Sequence, residues 1–134
     1  MTILVDTGIL YAAADADDAW HERAAGWLVA TRTPLLVPVT VLPEVCYLLQ
    51  TRLGAAAELL FVRSLQQDFL VEAATDSDFE RCGELLEIYP AIGFVDASLV
   101  AMAERLNIPR VATTDRRHLS MIRPSHVEAF ELLP

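Results

Sequence analysis

Short apolar runs alternate with longer amphipathic segments along the whole chain, and four of the junctions between them carry a lone acid. Thr2 to Val5 reads as a short buried strand, with a helix from about Thr7 to Ala14 after it. The run DADD makes a polar turn, and Asp18 is placed to cap a helix through Thr31, on which Trp20, Trp27, Ala24 and Ala25 share a face. Leu35 to Val39 is a second strand. Thr40 is expected to cap the next helix, with Pro43 and Glu44 in its first turn. Gly54 breaks that helix, and another runs from about Ala55 to Gln67. A third strand, Phe69 to Ala73, leads to Asp76 as cap of a helix through Tyr89. Pro90 and Gly93 separate it from a helix over Asp96 to Leu106. Pro109 opens the strand Arg110 to Thr114, and a last strand is expected over Glu128 to Leu132. Strands alternating with helices predict a three-layer α/β/α sandwich around a mostly parallel sheet, built as one domain over residues 1–134.

In such sheets ligands bind at the carboxyl ends of the strands. Asp6 and Asp115 fall at the carboxyl ends of the first and fourth strands. Glu44 follows the second strand by one helical turn, and Asp96 opens the helix that feeds the fourth. Singly, each has an ordinary structural explanation as a cap, a turn former or a partner of a helix dipole. Their joint placement in apolar surroundings distinguishes them from the other fifteen acids. Four carboxylates at one edge raise one another's pKa, so the cluster calls for a cation. A divalent metal held by oxygen ligands most often serves phosphodiester hydrolysis.

Composition narrows the field. There is no lysine, which excludes a P-loop, a Schiff base and the lysine of a phospho-acceptor receiver domain. The net charge of −9 argues against nucleic acid until its distribution is considered. Residues 105–126 hold five arginines (105, 110, 116, 117 and 123) and one acid, Asp115, whereas the rest of the chain holds five arginines and eighteen acids. A basic rim around an acidic centre suits a polyanionic substrate. Cys46 and Cys82 have neither metal-ligand spacing nor a redox motif and read as buried reduced thiols. No run is long enough for a membrane span, and the N-terminus lacks a basic leader, so a cytoplasmic protein is expected. The hydrophobic fraction of 54% and mean hydropathy of +0.36 point to apolar surface covered by a partner, with Trp20, Trp27, Leu28, Leu59, Leu60 and Phe61 as candidates to line it.

VDTGIL at 5–10, PEV at 43–45, GFVDASLVAMAERL at 93–106 and VATTDRRHL at 111–119 together resemble the four acidic motifs of PIN-domain nucleases, above all the VapC-type ribonuclease toxins of toxin–antitoxin pairs. The resemblance covers the whole chain. It implies a Mg²⁺ or Mn²⁺ site with Asp6, Asp96 and Asp115 as principal ligands, and Glu44 bound through water or orienting the nucleophile. It also implies supporting roles for Thr7 and for Thr113 or Thr114. Cleavage of RNA, in transfer or ribosomal RNA loops, to 5′-phosphate and 3′-hydroxyl products is the activity implied. The partners implied are a VapB-type antitoxin and a second copy of the chain. Arg116 and Arg117 are candidates to meet substrate phosphates. Two positions depart from the family pattern: Gly8, where many members have serine, and His118, where some have a further acid. The alternative is a PIN-like binding module without activity.

Overall fold

The protein was analysed as a computed structural model describing residues 1–134. Its centre is a five-stranded, wholly parallel sheet in the order β3-β2-β1-β4-β5, formed by β1 (Ile3–Val5), β2 (Leu35–Pro38), β3 (Leu70–Glu72), β4 (Arg110–Ala112) and β5 (Glu131–Leu133). The helices are α1 (Thr7–Ala14), α2 (His21–Ala30), α3 (Leu42–Leu53), α4 (Ala55–Asp68), α5 (Asp76–Ile88), α6 (Phe94–Leu106) and α7 (Arg116–Met121). This is the expected α/β/α sandwich. The inner strands β1 and β2 are buried at every residue because both their faces are covered. The edge strand β3 leaves Leu70 and Val71 exposed.

Strand order follows from the path of the chain. From β1 the chain steps outward to β2 and β3, then returns to the other side of β1 to add β4 and β5. Right-handed crossovers therefore place α1 to α4 on one face and α5 to α7 on the other. The helices pack accordingly, α1 on α2 and α3, α3 on α4, and α5 on α6. The direction of winding reverses between β1 and β4, which opens a crevice at their carboxyl ends. No helix is long and apolar enough to cross a membrane.

Several local expectations are corrected. Asp18 does not cap α2: its carboxylate accepts the Trp20 N–H at 2.8 Å in a turn, and the helix starts at His21. Thr40 lies in a 3-10 turn over Val39–Val41, and its hydroxyl meets Ser98 Oγ at 2.6 Å instead of capping α3. Thr75, not Asp76, caps α5: its hydroxyl accepts the Asp78 N–H, and the Asp78 carboxylate accepts the Thr75 N–H. This reciprocal box satisfies two otherwise orphaned amides, which a lone cap at Asp76 cannot do. α6 starts at Phe94, so Asp96 is its third residue. The last strand begins at Glu131, and α7 was not anticipated. Of the two thiols, Cys82 is buried and Cys46 only partly so; both are free.

The α5–α6 pair is tied by charge. Arg105 on α6 donates Nε and Nη2 to the Asp78 carboxylate at 2.9–3.1 Å, and Arg81 on α5 forks onto Glu104 at 2.8 and 3.1 Å. Burial pushes the Asp78 carboxyl up, but the Arg105 and Thr75 hydrogen bonds outweigh it and hold the group below its ordinary range. Replacing Asp78 with alanine removes half of the capping box and one side of this ion pair. The expected loss is about 2–3 kcal/mol, with Asp78→Asn retaining part of it, measured by chemical denaturation at neutral pH.

Candidate metal centre

All four acids singled out in the sequence line one cleft of about 550 Å³ at the carboxyl edge of the sheet, together with Thr7, Gly8, Tyr11, Trp20, Phe94, Thr114 and His118. Asp6 sits on its floor. It leaves β1 as that strand ends, and its own N–H donates to Ala112 O across the ladder at 2.9 Å. Its side chain is the N-cap of α1. One oxygen accepts the Thr7 N–H at 2.7 Å and the other accepts the Thr113 hydroxyl at 2.9 Å. Only 5% of the residue is exposed. Burial pushes the Asp6 carboxyl up to about 6; the Thr113 and Thr7 hydrogen bonds oppose the rise, and the charges of Asp96 and Glu44 add to it.

Asp96 faces the cleft from the first turn of α6. Its carboxyl is raised too, first by burial and then by the Asp115 charge, while His118 acts in the opposite direction. Asp115 follows β4 and caps α7, accepting the His118 N–H at 3.2 Å. The His118 ring returns along the same turn, with Nδ1 2.7 Å from one Asp115 oxygen and 3.8 Å from Asp96 Oδ2. Ligand atoms of Asp96, Asp115 and His118 thus lie within 4.8 Å of one another. The His118 departure accordingly places an imidazole in contact with two carboxylates, orienting Asp115 as outer partners orient metal ligands. Glu44, in the first turn of α3, is exposed on the cleft wall.

The threonines divide their roles. Thr113 is fully buried and both its hydrogen bonds are internal: it donates to Asp6 and accepts the Asp115 N–H at 2.9 Å, so it couples the two acids. Thr7 Oγ1 is buried, lines the cleft and has no partner. Thr114 is half-buried on the cleft. Arg116 is not free, because Nη2 donates to Pro134 O, and Arg117 is exposed without a bonded partner; neither lines the cleft. Sequence reasoning did not assign Tyr11, Trp20 or Phe94 to the cleft. The only signal was proximity, since Phe94 lies two residues before Asp96.

The donor set fits a hard divalent cation. It is rich in carboxylate oxygen, it includes an orphaned buried hydroxyl, and it contains a carboxyl whose ionised form the fold alone disfavours. Asp96, Asp115 and His118 have the ligand atoms close enough together to share an ion, while Asp6 and Glu44 line the same cleft outside that group.

Comparison with known proteins identifies the family. The PIN domain family model matches residues 3–123, and the chain belongs to the PIN-domain family. Within that family it is 30% identical to Ribonuclease VapC26 of Mycobacterium tuberculosis over 98% of this chain and all of that one. Among solved structures it resembles VapC20 of the same organism, described as a sarcin–ricin loop cleaving toxin, with a TM-score of 0.76 and 26% identity over 81% of this chain and 86% of that one. It also shares its fold with VapBC2 from Rickettsia felis, a structure bound to a DNA fragment from its promoter, with a TM-score of 0.74 and 17% identity over the full length of both chains.

The raised Asp6 pKa has a stability consequence. A carboxyl whose folded pKa lies above its unfolded value favours folding when protonated, and that contribution is lost as pH rises from about 4 through about 6. Asparagine can keep both contacts, accepting from Thr7 and donating to Thr113. Asp6→Asn is therefore expected to stabilise the metal-free protein above pH 6 by on the order of 2 kcal/mol, with the gain vanishing toward pH 4. Thermal unfolding in EDTA across pH checks this; added Mn²⁺ is expected to raise the Tm of the wild type and not of the variant.

Proposed function

We propose that the protein is a divalent-metal-dependent endoribonuclease, a toxin restrained by a VapB-type antitoxin. The observation that carries the reading is the gathering of Asp6, Glu44, Asp96 and Asp115 into one cleft, with Asp6 buried and pushed up to about 6. The Mycobacterium tuberculosis relatives, a ribonuclease and a ribosomal-loop cleaving toxin by name, support RNA as substrate. A Mg²⁺ or Mn²⁺ ion bound there supplies Lewis acidity toward the scissile phosphate and acidifies a water that can attack it.

The chain's own residues do the rest. Thr113 and the Thr7 amide fix the Asp6 carboxylate in orientation, and His118 does the same for Asp115. Glu44 is exposed and so reaches the reacting centre through water. Phe94, Trp20 and Tyr11 give the cleft aromatic walls against which the unstacked bases of an RNA loop can lie. Arg117 supplies an uncommitted guanidinium near the rim for phosphate, while Arg116 first has to leave Pro134.

A second feature supports the antitoxin. Leu28, Leu60 and Phe61 join Leu10, Ala13 and Phe69 in an almost wholly apolar groove of about 360 Å³. Such a groove suits the apolar face of an antitoxin helix. Of the other candidate lining residues, Trp27 packs on the core, Trp20 belongs to the cleft, and Leu59 lies outside the groove. A homodimer, as the family resemblance implies, is part of this proposal. The exposed Leu70 and Val71 of edge strand β3 offer it apolar surface.

Incubated with total RNA, the protein is expected to cut at discrete sites with Mn²⁺ or Mg²⁺, and not with EDTA. Asp96→Asn is expected to lower the rate by about 100-fold or more. Folded, antitoxin-free protein that leaves RNA intact under these conditions overturns the reading. Leu60 is 69% exposed, so Leu60→Glu is expected to leave the fold and RNA cleavage intact while weakening binding of the cognate antitoxin by about 10-fold or more in a titration.

A further inference from the structure

Gly8 is the second residue of α1, and its backbone gives no reason for glycine. Only Asn107 and Gly54 have positive φ, and glycine inside a helix is disfavoured relative to alanine. The reason lies in space. A Cβ at position 8 would stand 2.0 Å from Thr114 Oγ1, 3.2 Å from its Cβ and 3.4 Å from its Cγ2. The hydroxyl of Thr114, arriving from the end of β4, occupies the place a side chain on α1 would fill.

The two adjacent threonines are not equivalent. The Thr113 hydroxyl is consumed by Asp6 and Asp115, whereas the Thr114 hydroxyl forms no hydrogen bond within the protein and is presented to the cleft. A β-branched side chain is stiff about χ1, so whatever stands at position 8 decides where that hydroxyl points. A side-chain hydroxyl placed at position 8 would enter this same slot from the opposite wall.

We propose that positions 8 and 114 share a single hydroxyl slot, and that Thr114 is a positioning residue which fills it on the wall of the cleft, where its hydroxyl would support an ion held by the carboxylates. Gly8 is glycine to admit it. The proposal rests on the metal-dependent reading of the cleft and adds to it a coupling between two residues 106 positions apart.

The test uses four variants of the full chain, each checked for folding by thermal melting. Mn²⁺ affinity is read by calorimetry and RNA cleavage by gel. Thr114→Val keeps the volume and removes the hydroxyl, and Gly8→Ser forces two hydroxyls into one slot. Each is expected to weaken Mn²⁺ binding by about 10-fold or more, the usual effect of losing an outer-sphere partner. Thr114→Ser, and Gly8→Ser combined with Thr114→Gly, restore a single hydroxyl and are expected to recover most of the lost affinity and rate. Thr114→Val binding Mn²⁺ as the wild type does, or the double exchange performing no better than Gly8→Ser alone, overturns the shared slot while leaving the nuclease reading intact. Wild-type protein that neither binds Mn²⁺ nor cuts RNA overturns both.

Discussion

The structure depends on a carboxylate that is almost wholly buried at the base of a cleft. Asp6 ends the central strand of the sheet, at the point where the direction of winding reverses, so its side chain enters the deepest part of the crevice. Two donors hold it, the Thr7 amide at the start of α1 and the Thr113 hydroxyl at the end of β4. They orient the group without fully offsetting its desolvation, which is why its pKa rises and not falls. A fold that tolerates such a charge gives up stability at neutral pH. On the metal-dependent reading proposed above, a cation beside Asp6 would offset that loss and link metal binding to folding.

Asp96 and Asp115 are held by contacts around the cleft. Asp96 rides on α6, whose far end is fixed to α5 through the Arg105–Asp78 and Arg81–Glu104 pairs. The same helix is joined near its start to the β2–α3 connection, because Ser98 Oγ donates to Val95 O and meets Thr40 Oγ1. That link sets the helix of Asp96 against the turn that leads into the helix of Glu44. Asp115 is fixed from both sides, by Thr113 through its N–H and by His118 through its carboxylate. Thr113 therefore touches two acids at once, and His118 links Asp115 to Asp96, so three of the four acids are tied together from separate stretches of chain.

Much of this was legible before any coordinates. Buried parallel strands read as short apolar runs, and each acid stood out because it interrupted apolar surroundings at such a junction. Features that escaped notice depend on distances between remote residues or on competition between nearby ones. Asp18 has the right residue type for a cap, but its carboxylate turns to the Trp20 amide first and α2 starts three residues later. Thr40 is drawn to Ser98, 58 residues away. Asp76 lost its capping role to Thr75, because only the latter has an acid at the third helical position to reciprocate. The six residues of α7 are too few to show a period, so the meeting of His118 with Asp115 one turn apart was hidden with it. Gly8 was visible as a departure from the family pattern, but its explanation is a steric contact with Thr114 that no string of letters contains.

Charge along the chain also reads differently once folded. Of the five arginines between residues 105 and 126, Arg105 and Arg110 are spent on ion pairs with Asp78 and Glu131, and Arg116 donates to a backbone carbonyl. Two guanidinium groups from the acidic part of the chain lie against rings that line the cleft. Arg23 lies 4.8 Å over the Trp20 ring and Arg52 5.2 Å over that of Tyr11, and both rings line the cleft. Stacking of this kind holds an arginine flat, but Arg23 Nη2 is already committed to Pro134 O at 3.0 Å, the carbonyl that Arg116 also uses. A molecule of net charge −9 repels a polyanion over most of its surface, and such repulsion is weakest where cations gather. On the metal-dependent reading proposed above, a cation held in the cleft would therefore be more than a reagent: it would be the attractive centre of an otherwise repulsive surface.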